Sequence, residues 1–175
     1  MTVKDDADAM HHALAIARAN MRAGTGGPFA AMIVHDATRR IISIGCNLVA
    51  SEQCSVLHAE IVAIIRASHE MRSWDLHVNG STTLFTTAEP CAMCMGAIPW
   101  SGVRRIVIAA RDQDVRSIGF DEGAKRDQWM HDLQTRGISV VRDVLRDEAK
   151  QVLEQYVSGG GLIYNAVPPS RNVST

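Results

Sequence analysis

Two short motifs some thirty residues apart, His58-Ala59-Glu60 and Pro90-Cys91-Ala92-Met93-Cys94, constrain this chain most, because together they carry the ligands for one metal ion. One imidazole and two thiolates are three donors for a tetrahedral zinc, and the carboxylate of Glu60 is left over. A zinc with three protein ligands keeps its fourth position open for water and lowers that water's pKa from about 15.7 toward roughly 7. Any fold for this sequence therefore has to bring the two motifs together.

The local sequence suits that convergence. After His58 the run Ala59-Glu60-Ile61-Val62-Ala63-Ile64-Ile65-Arg66 is apolar and free of breakers, so it reads as a buried helix with His58 and Glu60 in its first turn. Cys91 and Cys94 stand three apart, on one face at the start of a helix announced by Pro90 and closed near Pro99. Thiolates at a helix start gain from the positive end of the dipole as well as from a metal.

A second arrangement uses another cysteine. Cys54, four residues before His58, would complete a closed Cys3His structural site with Cys91 and Cys94. That option leaves the Glu60 carboxylate beside the metal without a task. Cys46 sits in the apolar run from Ile41 to Val49, where a buried free thiol is the default.

The pattern along the chain alternates helix and strand, with no internal repeat. Residues 7–22 read as a helix favoured at its start by Asp5, Asp6 and Asp8 and ended by Gly24. Residues 29–35 and 41–47 read as a hairpin around Asp36-Ala37-Thr38-Arg39. The His58 helix, a strand at 82–87, the Cys91 helix and a strand at 103–109 follow. Residues 122–135 and 147–157 look helical, with a last strand at 137–142. The expectation is an α/β fold whose mixed sheet is covered on both faces, with the metal motifs at one sheet edge. A domain over 1–157 is expected, then a Gly-rich hinge and tail over 158–175 in which Leu162-Ile163-Tyr164-Asn165 is core packing or a lid and Pro168 to Thr175 is disordered.

Composition narrows the class. At 175 residues the chain fits one domain that buries roughly 70% of its unfolded surface. No apolar run approaches the length of a membrane span and the start is acidic and polar, so no signal peptide is expected and the cytoplasm is the expected compartment. A net charge of −1 supplies no global field for nucleic acid, although Arg104 and Arg105 could form a local patch.

With these residues in view, the chain resembles the cytidine-deaminase superfamily, the zinc-dependent nucleobase deaminases, over roughly 7–157. Within it the guanine deaminase and purine nucleoside deaminase branch is most similar. The resemblance rests on Gly26-Gly27-Pro28-Phe29-Ala30-Ala31, Gly45-Cys46-Asn47, the two metal motifs, Met95-Gly96-Ala97-Ile98 and Ile118-Gly119-Phe120-Asp121-Glu122. It implies a three-layer α/β/α sandwich with a mixed five-stranded central sheet, one Zn2+ per chain, and a homodimer with active sites near the subunit interface. The sequence departs from the branch at Cys54-Ser55-Val56-Leu57, at Ala92 and at Pro99, where guanine deaminases usually carry other residues.

The chemistry expected is hydrolytic deamination of an aminated heterocycle. Glu60 takes the proton from water, passes it to the adjacent ring nitrogen, and later protonates the departing ammonia, a two-way task that suits a carboxylate. Asn47 is expected to hold the ring, with Ala59 beside it; Phe29 and Trp100 are candidates to stack on the base, and Asp114 and Asp121 to accept its N–H groups. Guanine is the first candidate substrate, then guanosine and amino-triazines. A tRNA adenosine deaminase and a non-enzymatic zinc-stabilised module are the alternatives, the former weakened by the lack of a basic C-terminus.

Overall fold

The computed structural model describes residues 1–165. Eleven elements alternate along this span: α1 (Asp6–Ala23), β1 (Ala30–His35), β2 (Ile41–Cys46), α2 (Ala59–Met71), β3 (Thr82–Ala88), α3 (Ala92–Ser101), β4 (Arg105–Ala110), α4 (Asp112–Ser117), α5 (Trp129–Gln134), β5 (Ser139–Val141) and α6 (Arg146–Ser158). The strands form one five-stranded sheet in the order β2-β1-β3-β4-β5. β1 runs antiparallel to both β2 and β3, whereas β3, β4 and β5 are mutually parallel. The expected mixed sheet is therefore present.

Alternation along the strands divides the core in two. Ala30, Met32 and Val34 of β1 and Val107 and Ala109 of β4 face a cluster built with α1 and α6. Their neighbours Ala31, Ile33, Ile106 and Ile108 face a second cluster built with α2, α3 and Leu133 of α5. A strand buried on both faces reads as a continuous apolar run, which is why β1 and β4 lack polar alternation. The result is the three-layer α/β/α sandwich that the resemblance implies.

The helix ends obey their sequence signals. Asp5 accepts a hydrogen bond from Asp8 N at 2.8 Å at the start of α1, and Gly24 ends it in the left-handed region. α3 runs two residues past the expected stop, because Pro99 lies in its last turn, where only one backbone bond is lost.

The largest departure lies after β4. The stretch expected to be one helix over 122–135 is helical only in α5, and residues 119–128 form a loop across the sheet edge. Gly123 turns that loop with φ +69°, a value that favours glycine. The short α4 before it was not anticipated. The proposed boundary between domain and tail falls at the end of α6, and Ile163 and Tyr164 beyond it pack against the first core cluster. The disorder expected for Pro168 to Thr175 falls outside the described residues.

Candidate active site

His58 and Cys91 are the residues that precede the first turns of α2 and α3. Cys91 follows the C-terminal end of β3 after a two-residue turn. The ligand atoms of His58, Cys91 and Cys94 all lie within 4.8 Å of one another, and His58 Nδ1 is 3.4 Å from Cys91 Sγ. Ligand atoms on a tetrahedral zinc with bonds of about 2.0–2.3 Å are separated by roughly 3.3–3.8 Å, so this donor set fits zinc after small adjustments. Among the described residues Cys54 does not join the group, which removes the closed four-ligand site.

Close approach of α2 depends on a glycine. A Cβ on Gly45 would stand 2.2 Å from the Ala59 carbonyl oxygen and 2.5 Å from Ala63 N, so β2 is bare of side chain where the start of α2 crosses it. Below this crossing, Ser43 Oγ donates to the Ala63 carbonyl at 2.7 Å.

The electrostatics fit a cation-binding pocket. Hydrogen bonding from Cys94 holds the Cys91 thiol down at about 4, against the opposing effect of burial, and His58 adds to the depression. Its negative neighbour and burial push Cys94 up. Burial disfavours a charge on His58, but the hydrogen bond to Cys91 and the charges of Cys91 and Glu60 outweigh it and raise the imidazole. Burial, and then the charge on Cys91, push Glu60 above the usual carboxylate range. Of the two thiols only Cys91 ionises readily by itself, and a divalent ion held by His58, Cys91 and Cys94 would favour the thiolate form of Cys94 as well.

A cavity of about 350 Å³ opens over these donors. Its lining includes Phe29, Asn47, Ala59, Glu60, Glu122 and Tyr164. Asn47 is only 1% exposed and its amide orientation is set by the backbone: Oδ1 accepts from Gly27 N at 3.3 Å and from Val49 N at 3.2 Å. Nδ2 is thereby left as a buried donor without a partner. Asn47 accordingly offers the cavity a donor alone, and not the donor and acceptor that its amide carries in isolation. Asn20 on α1 braces this corner, donating through Nδ2 to the carbonyls of Gly27 and Asn47 at 2.9 Å each.

The structure does not bring together every residue expected there. Asp114 is held by Arg146 and by Arg111 N at 2.8 Å, as part of the α4 cap, and lies outside the lining. Trp100 is 80% exposed and borders a separate groove with Met95, Pro99 and Trp129. Asp121 stands at the cavity rim with its side chain 68% exposed, and its carboxylate accepts from Gly123 N at 2.9 Å. Phe29 does line the cavity, but its ring meets Phe120 edge to face at 5.1 Å between centroids. The Arg104 and Arg105 patch is reduced too, since Arg105 donates to Asp6 on α1 at 3.0 Å.

Glu122, not expected at the site, lines the cavity beside Asp121 and is 8% exposed. Residues 120–122 lie outside helix and strand between two glycines of positive φ, and burial alternates, with Phe120 and Glu122 buried and Asp121 exposed. That two-residue period, in a stretch ended by glycines at 119 and 123, was the available signal. Burial, with the charge of Cys91 adding to it, pushes Glu122 up to about 8, and Lys125 partly opposes the rise. Tyr164 also escaped notice: its hydroxyl is buried in the cavity wall without a hydrogen bond, and burial raises its pKa. Asn165 fastens that wall, accepting from Asp121 N and donating to the Gly119 carbonyl, both at 2.8 Å.

A three-layer fold with a His-Cys-Cys donor set at two helix starts and a carboxylate beside it defines a zinc-dependent aminohydrolase. Residues 3–110 match the family model of the cytidine and deoxycytidylate deaminase zinc-binding region, and the chain belongs to that family. It is 36% identical to the guanine deaminase of Bacillus subtilis over 65% of this chain and 69% of that one. It is 31% identical to the tRNA-specific adenosine deaminase of Buchnera aphidicola over 74% of this chain and 79% of the relative. Among solved structures, a guanine deaminase from Nitrosomonas europaea superimposes with a TM-score of 0.88 at 41% identity, covering 90% of this chain and 87% of the other. NE0047 in complex with 2,6-diaminopurine gives 0.89 at 42% identity, over 94% and 88%.

Proposed function

We propose that the chain hydrolyses the exocyclic amine of guanine or a closely related purine base or nucleoside, releasing ammonia. The observation that carries this reading is the unpartnered Asn47 Nδ2, buried in a cavity whose lining also carries the carboxyls of Glu60 and Glu122. Guanine has a carbonyl oxygen and ring nitrogens to accept from such a donor, and N1–H and amino hydrogens to offer a carboxyl. Adenine lacks the N1–H, which would leave a buried carboxyl without its partner. The neighbour that binds 2,6-diaminopurine supports a purine in this cavity.

The residues divide the work. His58, Cys91 and Cys94 would hold zinc, which when bound supplies the Lewis acidity that makes water nucleophilic near neutral pH. Glu60 accepts one proton of the attacking water and delivers it to the ring nitrogen beside the amine-bearing carbon. It then carries the second proton, from the hydroxyl left on that carbon, to the amine, which departs as ammonia while the carbonyl forms. Asn47 Nδ2 and Glu122 orient the base, while Phe29, Phe120 and Tyr164 supply apolar walls. Tyr164 and Asn165, beyond α6, thus form one side of the pocket.

A free base or nucleoside is favoured over RNA by the charge of the lining. Glu60, Glu89, Asp121 and Glu122 border the cavity, and no lysine or arginine does among the described residues. RNA binding draws much of its affinity from neutralised phosphates, for which this surface is unsuited. The likeness to tRNA-specific adenosine deaminases makes deamination of tRNA the second reading. The assembly proposed is a homodimer, supported by the exposed Trp100 and Met93 of α3, a helix rich in apolar residues on all sides. No helix of the described residues is long and apolar enough to cross a membrane. Free thiols at Cys46 and Cys54, beside two cysteines needed as thiolates, suit the reducing cytoplasm.

Ammonia release measured on guanine, guanosine, adenosine, cytidine and tRNA tests the assignment. Guanine is expected to turn over with the highest kcat/KM. Greater activity on tRNA than on every base and nucleoside would replace this reading with the second.

A further inference from the structure

Lys125 lies outside the donor set and outside the lining of the active-site cavity, yet only 8% of its side chain is exposed. A buried ammonium is unfavourable unless it is paired. Its Nζ donates to Glu89 Oε1 and to the Pro90 carbonyl, both at 3.1 Å, pairs with Asp112, and stands 4.0 Å from Glu122 Oε2. These partners come from three separate segments. Glu89 and Pro90 form the turn that leads from β3 into Cys91, Asp112 opens α4, and Glu122 belongs to the loop over 119–128 that walls the cavity.

Two further contacts fix the same loop on the same turn. Ala92 N donates to the Glu122 carbonyl at 2.9 Å, and Gly123 sits so close to Ala92 that a Cβ there would lie 2.9 Å from the alanine methyl. The backbone is therefore held by Ala92, but the acidic side chains are held together by Lys125 alone of the loop's residues. Glu89 has a second cation, Arg142, at 3.2 Å, whereas the ion pair recorded for Glu122 is the one to Lys125. Without that ammonium, Glu89, Asp112 and Glu122 lose the cation they share. Arg142 remains for Glu89 and Arg116 for Asp112, but nothing among the described residues then links Glu122 to the turn through its side chain.

We propose that Lys125 is a positioning residue for the deamination: its ammonium ties the cavity wall bearing Glu122 to the Glu89–Pro90 turn that presents Cys91. It thereby fixes the span between the carboxyl that orients the base and the metal donors. The inference rests on the reading that Glu122 faces the base. Lys125 touches neither substrate nor metal, so its effect has to pass through Glu122.

A double-mutant cycle on the full, zinc-loaded chain tests this, using the base deaminated most rapidly in the substrate panel. Lys125→Met is expected to retain its zinc and to raise KM about tenfold or more, with a smaller fall in kcat. Glu122→Gln should raise KM at least as far, and the double variant should be no worse than Glu122→Gln alone, because the two residues act through one contact. Arg142→Met, which removes the other cation from Glu89 and has no recorded ion pair with the loop, should leave KM within about twofold of the wild type. If Lys125→Met does not fold, Lys125→Gln, which keeps a donor for the Pro90 carbonyl but loses the charge, enters the same cycle.

Wild-type KM in the Lys125 variant beside a raised KM in Glu122→Gln overturns the positioning role. So do losses that multiply in the double variant. Wild-type KM in Glu122→Gln overturns instead the reading of Glu122 on which the inference rests.

Discussion

Arg146 grips Asp114 with two nitrogens, Nε on Oδ2 and Nη2 on Oδ1, both at 2.8 Å, and so joins α6 to the first turn of α4. A bidentate, charge-assisted pair of this kind is among the stronger polar contacts in a protein. Asp114 is mostly buried, and its remaining acceptor capacity goes to Arg111 N. The pair joins two helices outside the cavity lining.

The consequence is separable from catalysis. Asp114→Asn is expected to lower stability to urea by about 1–3 kcal/mol, the scale of hydrogen bonds to charged groups, with KM and kcat unchanged. Hydrogen bonding from Arg146 holds the Asp114 carboxyl below its usual range. A depressed carboxylate contributes fully above its unfolded pKa of about 3.9 and loses that contribution as pH falls through the lower folded value. Denaturation curves below about pH 4 should therefore show a gentler acid loss in Asp114→Asn than in the wild type. An altered KM with unchanged stability would return Asp114 to the substrate.

Metal content discriminates between cysteines. Cys54→Ser should keep one zinc per chain, whereas Cys91→Ser or Cys94→Ser should lose it together with activity, because three donors within 4.8 Å include only those two thiols. Elemental analysis of the purified variants decides the matter. Zinc lost from Cys54→Ser would restore the closed four-ligand site.

What the sequence revealed, and what it hid, follows from the range of the interactions concerned. β1 and β4 were legible because apolar runs of strand length speak for themselves, and His58, Glu60, Cys91 and Cys94 because their spacing is local to two helix starts. Asp114 was misplaced because its partner Arg146 lies 32 residues away, and nothing in a linear reading pairs them. Glu122 was hidden inside a stretch whose Ala, Lys and Gln content favours helix, while Gly123 and the contacts to Ala92 override that preference. Trp100 carries no mark that says which side of α3 meets the cavity.

Glu60 offers the sharpest test of the chemistry. Glu60→Gln keeps the shape of the side chain and the polarity of its end but cannot carry a proton in both directions. General acid–base catalysis is worth about 10² to 10⁴ in rate, so kcat should fall by at least that range while zinc remains bound. Undiminished ammonia release from zinc-loaded Glu60→Gln would remove this residue from the reaction.

Gly45 provides the last prediction, because it links the sheet to the metal site through a contact made of backbone. Its missing side chain lets β2 pass beneath the first turns of α2, where a Cβ would meet the Ala59 oxygen at 2.2 Å. Neither neighbour is the mobile end of a side chain, so Gly45→Ala has to move the start of α2 bodily, and with it His58 and Glu60. Overpacking of this kind costs typically about 1–3 kcal/mol, and that loss is expected in thermal or urea unfolding. Displacement of the helix start should also weaken zinc retention against a chelator and lower kcat, whereas Gly96→Ala on α3, where a Cβ meets nothing within 4 Å, should do neither. Equal zinc retention and turnover in the two variants would mean that the site tolerates movement of α2, contrary to a donor set fixed by this crossing.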